Sequence, residues 1–430
     1  MRKLSGEINR REMLTGVAAV TVAAATRVTF GASTPIGTSP SGTPTPRQLT
    51  KTDLQNLLYG LGFSASGGGG GYLIGQALLN AIINDIDPSL WLLWDPTTAQ
   101  DSDFAVMAGG IGAPSAITPE TILNFVTYAQ SGIQYYTAQT GITVNALAPV
   151  EAGPVNALLA LYLGWKYGYK VFDCDGAGRA VPSLTNLVYD FNQTEYQIAP
   201  VVLSGLIDYE PQSIVVRPPP TNAATAEAAI RDNLGEFGEA AALICWGQTG
   251  MELSSSPYLL AHTLTALVNF GAQAAATGFA EPALTNFLTS STNVIAVYSG
   301  TVSEIENGTQ PGYDDSIITV GAPYDVVYTI HALNENMILT QGVAGTTVLA
   351  TAPSGIAMLF QPNGTGPYVL LNNGDDLPNQ NVINSPIIIV VLKESCTLFK
   401  PNVAQTFINV LQAAPFNYGG PLVPSGTCTA

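Results

Sequence analysis

Residues 146–172, ALAPVEAGPVNALLALYLGWKYGYKVF, carry the pattern on which the fold prediction rests. Ala146–Val150 is a short apolar run typical of a buried strand, Ala157–Tyr167 has the length and spacing of a helix, and Lys170–Phe172 is a second apolar run. A strand, a helix and a strand in this order predict two parallel strands joined by a crossover helix.

The same alternation extends towards the N terminus. Leu90–Trp94 and Phe104–Ala108 are further apolar runs, and a helical pattern covers Pro119–Gln130. Two more helices are predicted, at Asp53–Phe63 and from Tyr72 onwards. We therefore predict an α/β fold with a mainly parallel or mixed sheet whose faces are covered by helices.

The pattern changes after residue 290. Longer helical patterns at Ala223–Cys245 and Pro257–Ala275 give way to five β-rich runs, at Asn293–Ser299, Ser316–Thr319, Asp325–Ile330, Met337–Thr340 and Ile387–Leu392. The predicted organisation is an export signal at 1–32, a Ser/Thr/Pro-rich linker at 33–50, an α/β domain at 51–290 and a β-rich C-terminal domain at 291–430.

The N terminus has the features of a twin-arginine export signal. Arg10 and Arg11 precede Gly16–Ala25, a mildly apolar run of small residues that is shorter than the roughly 20 residues needed to span a bilayer. An ordinary amphipathic helix is the alternative. We expect recognition by the twin-arginine export machinery, a periplasmic or extracellular location, and no membrane span in the mature protein.

Composition excludes several classes of function. With 14 basic and 31 acidic side chains, the net charge of −17 disfavours binding to a phosphate backbone, so no nucleic-acid partner is expected. The four cysteines have no metal-binding spacing; Cys396 and Cys428 could form a disulfide, and buried free thiols are the alternative. His262 and His331 are the only histidines, which excludes a His-rich zinc site.

A glycine tract separates the first two predicted helices, and consists of Gly67, Gly68, Gly69, Gly70 and Gly71. Peptide groups without Cβ atoms let a ligand approach closely, so the tract could hold an anion or a carbonyl oxygen; a flexible loop is the alternative. No Lys-Ser/Thr pair follows the tract and no strand precedes it, so no nucleotide cofactor is expected.

An acidic segment follows the strand Lys170–Phe172. Asp173 and Asp175 precede a turn that contains Gly176 and Gly178, and Arg179 follows. Carboxylates at a strand end face the ligand crevice of an open α/β sheet, and two close carboxylates raise one another's pKa as a general base requires. Aspartates that cap the turn are the alternative.

Two further strand ends carry candidate residues. Glu151 follows the strand Ala146–Val150 and could orient water or bind a ring N–H; a charge at a helix N terminus is the alternative. Gly112 and Ala113 lie in a tight turn after the strand Phe104–Ala108. A divalent ion held by Glu151, Asp173 and Asp175 is left open, as are the substrate and the oligomeric state.

In this order, the segments Gly67–Gly70, Ile111–Pro114, Glu151–Gly153 and Asp173–Pro182 resemble the S-methyl thiohydantoin desulfurase family, which is hydantoinase-like. The resemblance covers roughly residues 50–420 and includes Tyr298–Val302 and Asn334–Asn336 further along. It implies a small cyclic amide as substrate, and hydrolytic removal of methanethiol from an S-methyl thiohydantoin to leave a hydantoin.

The resemblance also implies roles for the candidate residues. Asp175 or Asp173 would be the base, Arg179 would stabilise charge or orient a carboxylate, and Glu151 would bind water or a ring N–H. The amides of Gly67–Gly71 would hold a carbonyl.

Three positions depart from the family pattern. Gly71 stands where the family has an aspartate, Tyr72 stands in place of a proline, and Ala152–Gly153 replaces a glycine pair. Two alternatives therefore accompany the desulfurase hypothesis. One is an exported binding protein that has lost catalysis, and the other is a hydrolase of a different cyclic imide or amide.

Overall fold

The structure, a computed structural model, describes residues 45–113, 116–191, 198–310, 313–342, 347–378 and 382–423. Residues 43–430 belong to one compact unit. The predicted export signal, and the predicted linker as far as residue 44, lie outside the described residues, so both stay predictions. No described helix has the length and apolar character that crossing a bilayer requires.

The first ten strands form one large sheet and one short ladder. They are β1 (Arg47–Gln48), β2 (Leu92–Trp94), β3 (Phe104–Gly112), β4 (Ala146–Pro149), β5 (Lys170–Phe172), β6 (Cys174–Asp175), β7 (Val202–Ile207), β8 (Glu210–Val215), β9 (Ala240–Thr249) and β10 (Leu260–Ala261). The large sheet has the order β1-β2-β5-β4-β3-β9-β7-β8, and β6 pairs with β10. Strands β2, β5, β4 and β3 are parallel and the other pairs are antiparallel, so the predicted mixed sheet is confirmed.

Within the described residues, eight α-helices precede the second sheet: α1 (Lys51–Ser64), α2 (Tyr72–Asp85), α3 (Ile122–Thr140), α4 (Pro154–Tyr167), α5 (Ala223–Leu234), α6 (Gly250–Ser255), α7 (Thr263–Ala276) and α8 (Ala283–Ser290). Both faces of β4 are buried. Leu147 belongs to the core that includes α4, whereas Ala146 and Ala148 belong to the core on the other face. An apolar run without polar alternation is what a strand covered on both faces requires.

The second sheet is antiparallel throughout. Its strands are β11 (Val294–Gln310), β12 (Tyr313–Ala322), β13 (Val326–Leu333), β14 (Glu335–Gln341), β15 (Thr347–Thr351), β16 (Gly355–Phe360), β17 (Val369–Leu370) and β18 (Pro386–Leu392). Their order is β15-β14-β13-β12-β11-β18-β16-β17. Helices α9 (Asn373–Asp376) and α10 (Pro401–Gln412) accompany it. The β-rich C-terminal region that the sequence predicts is therefore present.

The helix predicted over Ala223–Cys245 is wrong in its second half. The helix α5 ends at Leu234, Gly238 adopts a left-handed φ of 70°, and β9 begins at Ala240. A continuous apolar run is compatible with either a buried helix or a buried strand, and periodicity does not separate the two. Strand β9 pairs with β3 and β7, which places it inside the sheet.

The predicted linker also extends too far. Arg47 and Gln48, assigned to the linker, form β1 and pair with Leu93 and Leu92. Leu49 is buried next to them, and Thr50 caps α1 through a capping box with Asp53. Burial of Leu49 therefore anchors the end of the predicted linker to the sheet edge.

Candidate functional site

Two turns at the carboxyl ends of neighbouring parallel strands form one wall of a cleft. Strands β3 and β4 pair in parallel, with Ala108 opposite Pro149. Strand β3 continues to Gly112, while the chain leaves β4 after Pro149 and passes through Glu151 before α4 begins. The two adjacent strand ends therefore carry Glu151 and the glycine turn to the same edge of the sheet, where open α/β sheets bind ligands.

The carboxylate of Glu151 is buried and accepts two hydrogen bonds. The side chain is 5% exposed. Asn156 Nδ2 donates to Oε1 at 2.7 Å, and the backbone N–H of Val181 donates to Oε2 at 2.7 Å. Asn156 is itself oriented by the N–H of Gly110, which donates to Asn156 Oδ1 at 2.7 Å. A carboxylate between two fixed donors has one defined orientation.

A second buried carboxyl group, that of Glu335, comes from the β-rich half of the chain. Glu335 is the first residue of β14, directly after Asn334, whose left-handed φ of 56° reverses the chain from β13. The N–H of Gly69 donates to Glu335 Oε1 at 3.1 Å. Glu335 Oε2 is buried and has no hydrogen-bond partner among the described residues. A buried oxygen without a partner is a group that a water molecule or a ligand would satisfy.

Burial shifts the pKa values of both groups upward. Desolvation raises the pKa of Glu151 to about 7, against the lowering effect of its hydrogen bonds from Val181 and Asn156. Desolvation also raises the pKa of Glu335 well above its ordinary value, and the negative charge of Glu151 raises it further. We therefore expect Glu151 to be partly ionised near neutral pH, while burial favours the protonated form of Glu335.

Glu151 and Glu335 face a common cleft of about 640 Å³, counting space open to solvent. Its lining also includes Gly69 and Gly70, the end of β3 from Gly110 to Gly112 with the adjoining Ala113, Asn156 and Asn334. The cleft thus combines two carboxyl groups with peptide groups of glycine. Both halves of the chain contribute to it.

An ion pair on α5 forms another part of the lining. Glu227 Oε1 accepts hydrogen bonds from Arg231 Nε at 2.8 Å and from the Tyr313 hydroxyl at 2.8 Å. The Arg231 guanidinium lies 3.9 Å from the centroid of the Tyr313 ring, and the N–H of Leu184 donates to Glu227 Oε2. These contacts fix the pair, so it presents a rigid polar surface.

The two predicted catalytic aspartates do not line this cleft. Asp173 accepts hydrogen bonds from the backbone N–H and the hydroxyl of Thr265, in the first turn of α7. Asp175 Oδ1 accepts from the N–H groups of Ala177 and Gly178, at 2.8 and 2.6 Å. Burial raises the pKa of Asp175, and the charge of Asp173 is the smallest of the causes. Both residues cap turns, the alternative that the sequence left open.

Arg179 is fully buried and also lies outside the cleft lining. Its guanidinium donates to four backbone carbonyl oxygens, those of Ala180, Asn336, Pro353 and Ser354, at 2.6–3.3 Å. Three of these carbonyls belong to the β-rich half of the chain. The charge of Arg179 acts on Glu151 and Glu335 at longer range, where it lowers the pKa of each.

The glycine tract is closely packed, and only Gly69 and Gly70 reach the cleft. A Cβ at Gly68 would lie 2.0 Å from Glu335 Oε1, and one at Gly70 would lie 2.2 Å from Val155 Cγ2. Because the N–H of Gly69 binds Glu335, this amide does not form the free carbonyl cradle that the sequence predicts. The tract instead lets Glu335 approach the main chain.

Gly71, which stands where the family pattern has an aspartate, does not line the cleft. Gly71 is the N-cap of α2, and a Cβ there would lie 2.1 Å from Asp375 Oδ2. Gly176 and Gly178, predicted to bind substrate, are also absent from the lining, whereas Gly112 and Ala113 belong to it. The glycine in place of the family's aspartate therefore removes no acidic group from the observed cleft.

The described residues contain no group of three His, Cys, Asp or Glu side chains arranged to hold a metal ion. Glu151, Asp173 and Asp175, the possible carboxylate ligands, are turned to different hydrogen-bond partners. Cys174 and Cys245 are buried free thiols. Cys396 is disulfide-bonded, and Cys428 lies outside the described residues, so the predicted pairing of these two stays a prediction.

Sequence reasoning did not identify four of the lining residues: Asn156, Glu227, Arg231 and Glu335. Asn156 lies inside a helical pattern, and Glu227 and Arg231 have the i, i+4 spacing of an ordinary surface pair. The polar triplet Asn334–Asn336, between apolar runs, was the one available signal for Glu335. A polar cluster that interrupts a β-rich pattern marks a turn and does not show where that turn packs.

Comparison with known proteins shows two matching family profiles. The S-Me-THD-like N-terminal domain matches residues 52–210, and the S-Me-THD-like C-terminal domain matches residues 221–369. A crystal structure of a protein from Chromobacterium violaceum is similar, with a TM-score of 0.67 and 24% sequence identity, over 88% of this chain and 99% of that one. At this identity the likeness supports the fold alone. No curated protein matches the chain.

Proposed function

This chain belongs to the S-Me-THD-like family, and from this premise we propose that its cleft hydrolyses an S-methyl thiohydantoin to a hydantoin and methanethiol. The observation that carries the proposal is the pair of buried carboxyl groups, Glu151 and Glu335, that face one cleft from opposite halves of the chain. Their surroundings differ, and this difference gives each a separate role.

Glu151 is the general base. Its two oxygens accept hydrogen bonds from N–H donors of Asn156 and Val181, which favour the ionised form. A base with a pKa of about 7 is both ionised in part and strong enough to take a proton at neutral pH.

Glu335 is the general acid. Among the described residues, one of its oxygens, Oε1, accepts a hydrogen bond from the N–H of Gly69, and the other, Oε2, is buried and has no partner. Burial raises its pKa well above the ordinary value, which favours the protonated carboxyl. A protonated carboxyl with an unpartnered oxygen can donate to a ring nitrogen in the cleft.

The two groups complete the reaction without net change to the protein. Water adds through its oxygen to the ring carbon that bears sulfur, giving one proton to Glu151, while the C=N electron pair moves to the ring nitrogen, which takes the proton of Glu335. The C–S bond then breaks. Methanethiolate takes the proton from Glu151, and the new hydroxyl returns its proton to Glu335 as the carbonyl forms.

Arg179 supports this pair from a distance. Because it is buried and its donors are used by backbone carbonyls, its positive charge is fixed below the cleft and favours one negative charge on the glutamate pair. The proposal therefore keeps Arg179 as a stabiliser of charge and moves the base from Asp173 or Asp175 to Glu151.

The experiment measures methanethiol released from S-methyl thiohydantoin by the wild type and by Glu→Gln variants at Glu151 and Glu335. We expect turnover by the wild type and a loss of about 10²–10⁴-fold in each variant, the usual contribution of general acid–base catalysis. Glu210→Gln, at an exposed position, is the matched control and should keep full activity. Circular dichroism checks that each variant is folded.

Three results would overturn the proposal. Full turnover by folded Glu335→Gln protein would show that Glu335 is not the general acid. Binding of hydantoins by the wild type with no turnover indicates a binding protein, and turnover of other cyclic imides alone indicates a different hydrolase. Glutamine is a closer structural substitute for Glu335 than for Glu151. Both Glu151 oxygens accept hydrogen bonds from N–H donors, and the NH₂ group of a glutamine there would face one of these donors.

We further propose that the protein is exported, as Arg10 and Arg11 before an apolar run indicate. Fractionation of cells that produce the full chain tests this. The wild type should appear outside the cytoplasm, and replacement of both arginines by lysine should retain it inside. Equal export of the two proteins would exclude the twin-arginine route.

A further inference from the structure

Gly110 is a glycine of the cleft wall that the fold does not require. It lies in β3, and its φ is outside the left-handed region. A Cβ built on it would have only two neighbours within 4 Å, Asn156 Oδ1 at 3.5 Å and the carbonyl oxygen of Ala241 at 3.9 Å. Both distances are ordinary van der Waals contacts, so alanine would fit at this position.

The other glycines of the wall are different. Gly69, Gly70 and Gly112 have left-handed φ values of 62°, 78° and 137°. A Cβ on any of them would lie within 2.7 Å of another protein atom. Their lack of a side chain is explained by backbone conformation and packing. Gly110 alone among these four has no such explanation.

The space beside Gly110 adjoins the proposed base. The Gly110 N–H donates to Asn156 Oδ1, and Asn156 Nδ2 donates to Glu151 Oε1. A methyl group at Gly110 would point towards Asn156 Oδ1 and would enter the cleft. Gly110 and Glu151 line the same cleft and both contact Asn156, so a ligand beside the proposed base lies next to the wall that contains Gly110.

We propose that Gly110 determines which rings the cleft accepts: a flat ring lies with one face against the bare peptide, and a substituent on that face is excluded. This inference rests on the proposed function and adds the shape of the substrate. The substrate class is a planar five-membered cyclic amide whose ring atoms carry no group that projects from the plane towards Gly110.

Calorimetric titration with two probes tests this inference. Hydantoin is flat, whereas 5,5-dimethylhydantoin carries methyl groups above and below the ring. We expect the wild type to bind hydantoin at least about tenfold more tightly than the dimethyl compound, since one methyl group in a pocket changes affinity by this order. Gly110→Ala should weaken hydantoin binding by about tenfold or more, with an unchanged melting temperature.

The matched control is Gly321→Ala. Gly321 also lies in a strand, has a φ outside the left-handed region, and leaves a Cβ 3.9 Å from its nearest neighbour, but it does not line the cleft. Its variant should bind hydantoin as the wild type does. Unchanged hydantoin binding by folded Gly110→Ala protein overturns the inference alone. No binding of either probe by the wild type overturns the proposed function with it.

Discussion

Asn156 connects the cleft wall to the proposed base through hydrogen bonds of fixed direction. The N–H of Gly110 can only donate, so Asn156 accepts it through Oδ1 and must donate through Nδ2 to Glu151. This donation lowers the pKa of Glu151 against the effect of burial. Asn156 is thus a positioning residue that keeps Glu151 in its basic form.

We expect Asn156→Asp to move the acidic limb of the pH profile of kcat/KM upward. The variant keeps the size of the side chain but replaces the donor with an acceptor, and a hydrogen bond to a charged group corresponds to about one to two pKa units. Rates at several pH values and the melting temperature are measured together. A lower rate with an unmoved limb would mean that Asn156 has only a structural role.

His262 gives a prediction about stability. Its ring nitrogens lie 3.7 Å from Asp95 Oδ1 and 3.8 Å from Asp173 Oδ2. Hydrogen bonding to Asp173, followed by the charge of Asp95, raises the pKa of His262. Because the folded pKa lies above the unfolded value, this stabilisation is complete below the unfolded pKa, about 6.5, and is lost as pH rises through the folded pKa.

The comparison is between the wild type and His262→Asn, since asparagine tolerates the left-handed φ of 64° at this position. Urea unfolding should show a stability difference that is larger at about pH 5.5 than at about pH 9, by less than about 1 kcal/mol because the ring is partly exposed. A difference that grows with pH would contradict the assignment.

At the level of elements, the glycine tract is a packed connection between α1 and α2. Gly70→Ala combines a left-handed φ of 78° with a Cβ 2.2 Å from Val155 Cγ2, whereas Gly141→Ala has a φ of 73° and no neighbour within 4 Å. Comparing the two variants separates the energetic cost of the left-handed backbone from the cost of close packing. We expect Gly141→Ala to cost about 1 kcal/mol and Gly70→Ala about 1–3 kcal/mol more, as measured by urea unfolding. Equal costs would mean that the tract is loosely packed.

Helices and strands with a clear hydrophobic pattern could be predicted from the sequence. Apolar runs that fit either a buried helix or a buried strand could not. The strand Lys170–Phe172 was predicted with its observed bounds, because a turn and a long helix delimit it. Strand β9 was predicted as helix, because Ala240–Cys245 is apolar at every position and pairing with β3 and β7 decides its state. Such pairing is a tertiary contact that the local sequence does not contain.

For the molecule as a whole, Arg179 ties the two sheets together. Its side chain satisfies carbonyl groups of Asn336, Pro353 and Ser354 in the β-rich half of the chain. Arg179→Met should leave these buried acceptors without donors and lower the free energy of unfolding by about 3 kcal/mol or more. The control Arg217→Met, at an exposed position, should change it by less than about 0.5 kcal/mol.

Urea unfolding followed by circular dichroism and by tryptophan fluorescence measures both variants. A wild type that unfolds in one transition, and an Arg179 variant that is strongly destabilised, fit a single cooperative unit. Unfolding of the wild type in two steps, with no effect of Arg179→Met on the first, would contradict this role. The predicted boundary between domains at residue 290 stays a prediction.

Only the part of the site that is built from neighbouring strand ends could be predicted from the sequence. Glu151, Gly112 and Ala113 follow neighbouring strands, so strand order alone brings them together. Glu335 is 266 residues from Gly69, its hydrogen-bond partner, and no periodicity indicates which distant turn will pack on the strand ends. Asp173 and Asp175 have the same local pattern as Glu151, but they do not line the cleft, and N–H groups of Thr265 and Ala177 each bind one of their oxygens.

The most direct test of the account is a titration of the glutamate carboxyl groups, followed by NMR of protein labelled with ¹³C at those positions. We predict one carboxyl that titrates near pH 7 and is missing from Glu151→Gln protein, and another that titrates above the range of ordinary carboxyl groups and is missing from Glu335→Gln protein. Titration of both Glu151 and Glu335 between about pH 3.5 and 5.5, the range of ordinary carboxyl groups, would contradict the central claim that these two residues form an acid–base pair.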